Sequence, residues 1–277
     1  MDEEIDLLEL MKFVKRKWNI SLIVFILSMI ACNLYFFLKI GVSKVVSLET
    51  LKTELLLVLI SIVATLIVLL IIIYCFDRSI KSIEQLKQYN LLESIKNEND
   101  IIKVKTKIKL REQGKVIFLT SPKNGENEKI LMNLAKEFNK DSKVLVINAD
   151  FRNGQSKKEG YSDILKKYPN TIKTFIRKKD GIDIIDIGTT LEEPEVLLYG
   201  ENNKKLLEEL KNVYDYILIY DFNIVDYSDA LILSKISDSN YIVVELYKTN
   251  REDLDKSISS FEQVSVKIDG IIALLDK

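Results

Sequence analysis

The stretch Lys115 to Arg152, KVIFLTSPKNGENEKILMNLAKEFNKDSKVLVINADFR, decides the fold. Val116 to Ser121 is a short, continuously apolar run, the signature of a strand buried on both faces. Glu128 to Phe138 has the spacing of an amphipathic helix, and Lys143 to Asp150 returns to a second apolar strand. The alternation continues downstream. GIDIIDIG, DYILIYD, NYIVVEL and GIIALL read as strands, while NKKLLEELKNV, SDALILSKI and the region of DLDKSISSFEQV read as helices. Buried strands separated by amphipathic helices predict an α/β domain with a mostly parallel sheet flanked by helices on both faces. Ligands in such sheets bind at the carboxyl ends of the strands, which places interest on the segments after Ser121, Asp150 and Asp221.

The first of these, TSPKNGENEKILMNLA, sits where a strand gives way to a helix N-terminus, whose free N–H groups favour an anion. With Gly125 it reads as an incomplete phosphate-binding loop. A working loop follows its first glycine with a second, then Lys for the phosphates and Ser or Thr for magnesium. Those positions hold Asn127, Glu128 and Lys129. A carboxylate at 128 repels a triphosphate, and a lysine displaced by one residue is rotated by about 100° on a helix. The second strand ends in INADFR, where Asn148 lacks the charge of a metal ligand or base while Asp150 and Arg152 remain. Asp221 ends the DYILIYD strand, sited like a Walker B aspartate that holds magnesium. Gly125, Lys129 and Arg152 are thus candidate ATP-binding residues, with Asp150 and Asp221 as candidate catalytic and magnesium-binding carboxylates. Ordinary strand-end turns, with Asp150 and Asp221 as solvated caps, account for the same residues.

Upstream lie two charge-free runs, Trp18 to Leu38 and Leu55 to Phe76. At 1.5 Å per residue each spans about 30 Å, the thickness of a bilayer's hydrocarbon layer. They predict a transmembrane hairpin with a short external loop at 39–54, and residues 1–77 form this anchoring part. Lys12, Lys15, Arg16 and Lys17 before it and Arg78, Lys81 and Lys87 after it outnumber Lys39, Lys44 and Lys52 between the spans. Both termini are therefore expected in the cytoplasm, with the hairpin in the membrane. Residues 78–110 read as a linker and 111–277 as the α/β domain.

The composition excludes much. With no histidine among 277 residues, His-based acid/base catalysis, Ser-His-Asp triads and the usual zinc sites are absent. Balanced charge, 40 basic against 41 acidic residues, gives no bulk field toward nucleic acid, and no nucleic-acid partner is expected. Cys32 and Cys75 fall within apolar runs and read as small hydrophobic residues. The charged run Lys96 to Lys109 reads as a solvated helix face or lipid-headgroup contact.

Taken together, EEIDLLELMKFVKRKW, DRSIKSIEQLKQY, VIFLTSPKNGE, NLAKEF, KVLVINADFR, GYSDIL, EEPEVLL, LLEELKNVYDYILIYD and SDALIL resemble, in order, the bacterial tyrosine kinases joined to a Wzz-type polysaccharide co-polymerase. The resemblance runs from Glu3 to Lys277 and implies an ATP and magnesium site, polysaccharide polymerase and export proteins as partners, and control of polysaccharide length or export. Three departures qualify it. Only residues 39–54 stand where the family has a large external domain, and the chain stops at Asp276-Lys277 without the family's tyrosine-rich tail. IIKVKTKIKLREQ also carries lysines where the family's helix for subunit assembly carries arginines.

With the degenerate loop, these features lead to an expected pseudokinase, a membrane-bound regulator or scaffold in capsule or exopolysaccharide synthesis. Its expected partners are membrane lipid, the polymerase and export machinery, and an intact kinase or further copies of itself. An active protein tyrosine kinase using Lys129, Asp150 and Asp221, or a membrane-tethered positioning ATPase of the MinD and ParA type, are the other readings.

Overall fold

The Val116–Thr120 segment is buried at every position, as a continuous apolar run requires, and lies at the centre of an eight-stranded sheet. The computed structural model describes residues 78–123, 127–152, 158–168, 172–189 and 193–275, with twelve scattered helical positions from 26 to 71. The strands are β1 (Leu91–Ile95), β2 (Val116–Thr120), β3 (Val144–Asn148), β4 (Ile176–Lys179), β5 (Ile182–Ile185), β6 (Tyr216–Tyr220), β7 (Ser239–Glu245) and β8 (Gly270–Leu274). Helices are α1 (Glu98–Leu110), α2 (Asn127–Asn139), α3 (Tyr161–Lys167), α4 (Pro194–Leu198), α5 (Glu201–Lys211), α6 (Asp229–Ile236) and α7 (Arg251–Gln263). The sheet order is β1-β8-β7-β2-β6-β3-β5-β4. All neighbours are parallel except β4, which returns antiparallel along β5.

Two separate cores cover the faces. On one, α2 lays Leu131, Leu134, Ala135 and Phe138 against the sheet, positions one helical face apart, beside Ile101, Val104 and Ile108 of α1. On the other, Ile164, Leu206, Leu210, Leu233, Leu254 and Phe261 from α3, α5, α6 and α7 meet Phe118, Leu145, Ile217 and Ile242. Phe138 packs its ring 4.7 Å from that of Tyr216, and Tyr220 and Tyr241 are buried, so these tyrosines belong to the core.

Residues 78–110, expected as a linker, hold β1 and α1, and the compact α/β unit begins at Ser79. The reason is the parallel pairing of Leu91–Ile95 with β8, which completes the sheet edge, followed by a well-capped helix. Asn97 accepts the N–H of Asn99 at 2.9 Å, while Asp100 reaches back to the N–H of Asn97 at 3.3 Å. The lysines of this segment are tied within the domain: Lys105 and Lys109 each lie 2.8 Å from Asp141, and Lys107 is 3.0 Å from Glu93.

Most of the two expected spans, 18–38 and 55–76, lies outside the described residues. Among the described residues no helix is long and apolar enough to cross a membrane. The described positions of those stretches are helical, and Ile26, Ile30, Leu55, Leu59 and Ile67 among them carry exposed apolar side chains, whereas Ile62 is buried.

Candidate functional site

The carboxyl ends of β2, β3 and β6 lie side by side, and their loops are laced together. Ser121, just after β2, accepts N–H bonds from Asn223 and Ile224 at 3.2 Å each, and Pro122 accepts one from Val225 at 3.2 Å. These bonds fix the start of the loop after β2 against the loop after β6. Gly125 lies outside the described residues.

Glu128, in the first turn of α2, forms an ion pair with Lys179 of β4 at 2.9 Å, both side chains being exposed. Lys129 turns the other way. It lines a cleft of about 420 Å³ between α1, α2 and the ends of β7 and β8, with Glu98, Glu245 and Lys248. The one-residue displacement read from the sequence therefore has a structural consequence: the basic side chain is directed to the β7–β8 side, and an acidic one to the β3–β5 side.

Asp150 and Asp221 are both buried at the ends of β3 and β6. Asn148 accepts the N–H of Asp150 at 3.0 Å, so its side chain closes a local turn. The Asp221 carboxyl is pushed well above the usual carboxylate range, first by burial and then by the nearby charges of Asp150 and Asp229, against the opposing pull of Arg152. Burial, followed by the charges of Glu128, Asp150 and Asp186, likewise raises the Tyr220 hydroxyl.

Arg152 is engaged elsewhere than on a free anion. Its Nε donates to Asp229 Oδ2 at 2.9 Å, a second nitrogen reaches Glu195, and the guanidinium lies 4.7 Å from the centre of the Tyr227 ring. Asp229 is fully buried at the N-terminus of α6, where the helix dipole also favours a carboxylate. The site is therefore a set of acidic groups, Asp150, Asp221, Asp229, Glu128 and Glu195, with a single arginine held by two of them. Asp229, Glu195 and Tyr227 were not foreseen as part of it.

The two neighbouring carboxyl groups, Asp150 and Asp221, match the one or two carboxylates that a magnesium ion takes before completing its shell with water or phosphate oxygens. The described residues hold no group of three or more acidic, histidine or cysteine side chains suited to a metal. Of the described lysines around the loop after β2, Lys123 is paired with Asp253 at 3.1 Å and Lys129 lines the cleft beside β7 and β8.

The fold and site define a P-loop-like α/β domain with two buried carboxyl groups at its strand ends. No family model matches the chain. The chain is homologous to bacterial tyrosine kinases. It is 28% identical over 141 residues to the tyrosine-protein kinase Ptk of Acinetobacter johnsonii, covering 48% of this chain and 19% of that one. With the tyrosine-protein kinase CpsD of Streptococcus pneumoniae the identity is 25% over 169 residues, covering 57% and 74%. The kinase domain of the Escherichia coli tyrosine kinase ETK superposes with a TM-score of 0.65 at 19% identity, covering 72% of this chain and 96% of that domain. The BceF tyrosine kinase domain gives 0.61 at 20%, covering 71% and 98%. The region matched to Ptk is thus about a fifth of that protein.

Proposed function

We propose that this protein is a membrane-anchored, catalytically degenerate tyrosine-kinase-like regulator or scaffold of capsular or exopolysaccharide assembly. One observation carries the reading: at the position of the phosphate lysine stands Glu128, paired with Lys179, while Lys129 faces a different cleft. Phosphoryl transfer depends almost wholly on positioning and on cations that meet the developing charge. Arg152 offers no substitute, being paired with Asp229 and Glu195. Homology to bacterial tyrosine kinases supports the pathway, and one similar protein is described as a putative tyrosine-protein kinase in the cps region of Klebsiella pneumoniae. The two charge-free runs support anchoring in the plasma membrane with both termini cytoplasmic.

In this reading Asp150 and Asp221 retain a place for magnesium, whose role when bound is to neutralise phosphate oxygens. The chain's own contribution is to hold the two carboxylates together at the carboxyl ends of the central strands and to present a surface to polymerase and export proteins or to an intact kinase. The test is calorimetric titration of the full-length chain in detergent with ATP and magnesium, run beside a phosphotyrosine assay. No binding up to millimolar nucleotide and no phosphotyrosine are expected. ATP-dependent phosphotyrosine that disappears in Lys129→Ala and Asp221→Asn would instead establish an active kinase.

A further inference from the structure

A second cleft, of about 610 Å³, opens at the other end of the sheet from the acidic pair. It is formed by the turn Ile172–Phe175, β4, the start of β3 and the C-terminal end of α5. Ile172, Ile176, Leu210 and Val213 make its apolar floor, and Val213 is 49% exposed. Lys143, Lys173 and Lys178 stand around it. Ile176 and Lys178, two residues apart on an edge strand, point to the same face.

The charges around the floor are not equivalent. Both carboxylates in the lining are engaged by tyrosines: Asp183 accepts the Tyr214 hydroxyl at 2.9 Å and Glu209 the Tyr168 hydroxyl at 2.7 Å. Lys173 and Lys178 have no carboxylate partner among the described residues, whereas Lys105, Lys107, Lys109, Lys136 and Lys179 of the same domain are all paired. Lys143 lies 4.8 Å from the centre of the Tyr214 ring, over the apolar wall. The dipole at the C-terminus of α5 gives cations a structural reason to gather here. It gives none for leaving an aliphatic floor open between them.

An apolar cleft of this size, bordered by three ammonium groups against two carboxylates already held by tyrosine hydroxyls, suits a molecule with an anionic head and a hydrocarbon body. We propose that this cleft binds an anionic phospholipid, its phosphate among Lys143, Lys173 and Lys178 and the start of an acyl chain on Ile176, Leu210 and Val213. A nucleotide lacks the aliphatic body, and inorganic phosphate leaves the floor uncovered.

The test is native mass spectrometry of the full-length chain released from uncharged detergent, with graded phosphatidylglycerol or phosphatidylcholine. Phosphatidylglycerol is expected to be retained in preference, and Lys173→Glu/Lys178→Glu to lower its retention about 25-fold, at about fivefold per lysine. Val213→Asp, at a surface position, should weaken it as well. Circular dichroism on each variant separates lost binding from lost folding. The difference between wild type and variant isolates the cleft from lipid held by other parts of the chain. Equal retention of the two lipids, equal retention by wild type and the double variant, or displacement by millimolar inorganic phosphate would each overturn the proposal, the last by revealing a small-anion site.

Discussion

Restoring the phosphate loop tests the electrostatic reasoning directly. The triple substitution Asn127→Gly, Glu128→Lys, Lys129→Ser returns the glycine, the lysine and the hydroxyl to their places in a working loop. Its cost to the fold is small, because the Glu128–Lys179 pair it removes has side chains 55% and 59% exposed, and such pairs contribute about 0–1 kcal/mol. Its effect on ATP is larger. A hydrogen bond to a charged group contributes about 1.5–3 kcal/mol, and loss of the Glu128 repulsion adds to it. Together these give about 3 kcal/mol, or roughly 100-fold in dissociation constant. Calorimetry of the full-length chain with ATP and magnesium should show binding in the repaired protein and none, or a dissociation constant some two decades weaker, in the native one. If the repaired chain keeps its circular dichroism spectrum and melting temperature yet binds no better, the charge at position 128 is not what separates this site from a working one.

Arg152→Ala leaves the buried Asp229 carboxylate without its main partner and should destabilise the protein by about 3–5 kcal/mol in urea titration followed by circular dichroism. Adding Asp229→Asn should recover much of that loss, and a double variant as unstable as the single one would refute the pairing. Asp221→Asn is expected to raise the melting temperature at pH 7. The folded carboxyl is raised above its unfolded value, so its ionisation opposes folding as the pH climbs, and the gain should fade toward pH ~4. Asp163 behaves in the opposite sense. Burial alone would raise it, but bonds from Thr189 and from the Gly160 N–H outweigh burial and hold it below the usual range. Its contribution is present above the unfolded carboxylate range and lost as the pH falls through the lowered value, so Asp163→Asn should flatten the acid limb of a stability–pH curve.

The central strands were legible because burial on both faces leaves a continuous apolar run: β2, β3, β6, β7 and β8 are all of this kind. The edges were not. β1 reads LLESI, with Glu93 and Ser94 half-buried, and β4 reads IRKK, so neither carries the apolar signature of a central strand. Helix α3 escaped notice for a different reason. It starts at Gly160, where a Cβ would lie 2.2 Å from the Asp186 carbonyl, a fit that only tertiary structure reveals. At the site, Asp150 and Asp221 could be located because each follows a buried strand. The fate of Arg152 could not, since Glu195 and Asp229 stand 43 and 77 residues away in sequence. The direction of Lys129 was foreseeable only in part: helix geometry gives the rotation, but the cleft it enters depends on α1, a segment that reads as a linker.

The fold and the site rest on different residues, and this explains how one can persist while the other changes. Glu128 belongs to neither core and makes only an exposed ion pair with Lys179, so the residue at that position can change without loss of an apolar core contact. Asp221 follows the contrary logic. Buried beside Asp150 and Asp229, it is pushed above the usual carboxylate range, so its ionisation opposes folding even though Arg152 and the Phe222 N–H favour the charge. Side chains that lower stability while filling no structural need are what a ligand site contains. Under the proposed reading the pair still suits a divalent cation while the loop no longer holds phosphates. On that reading the domain meets its partners through its surfaces, and no nucleotide is needed to keep those surfaces in place.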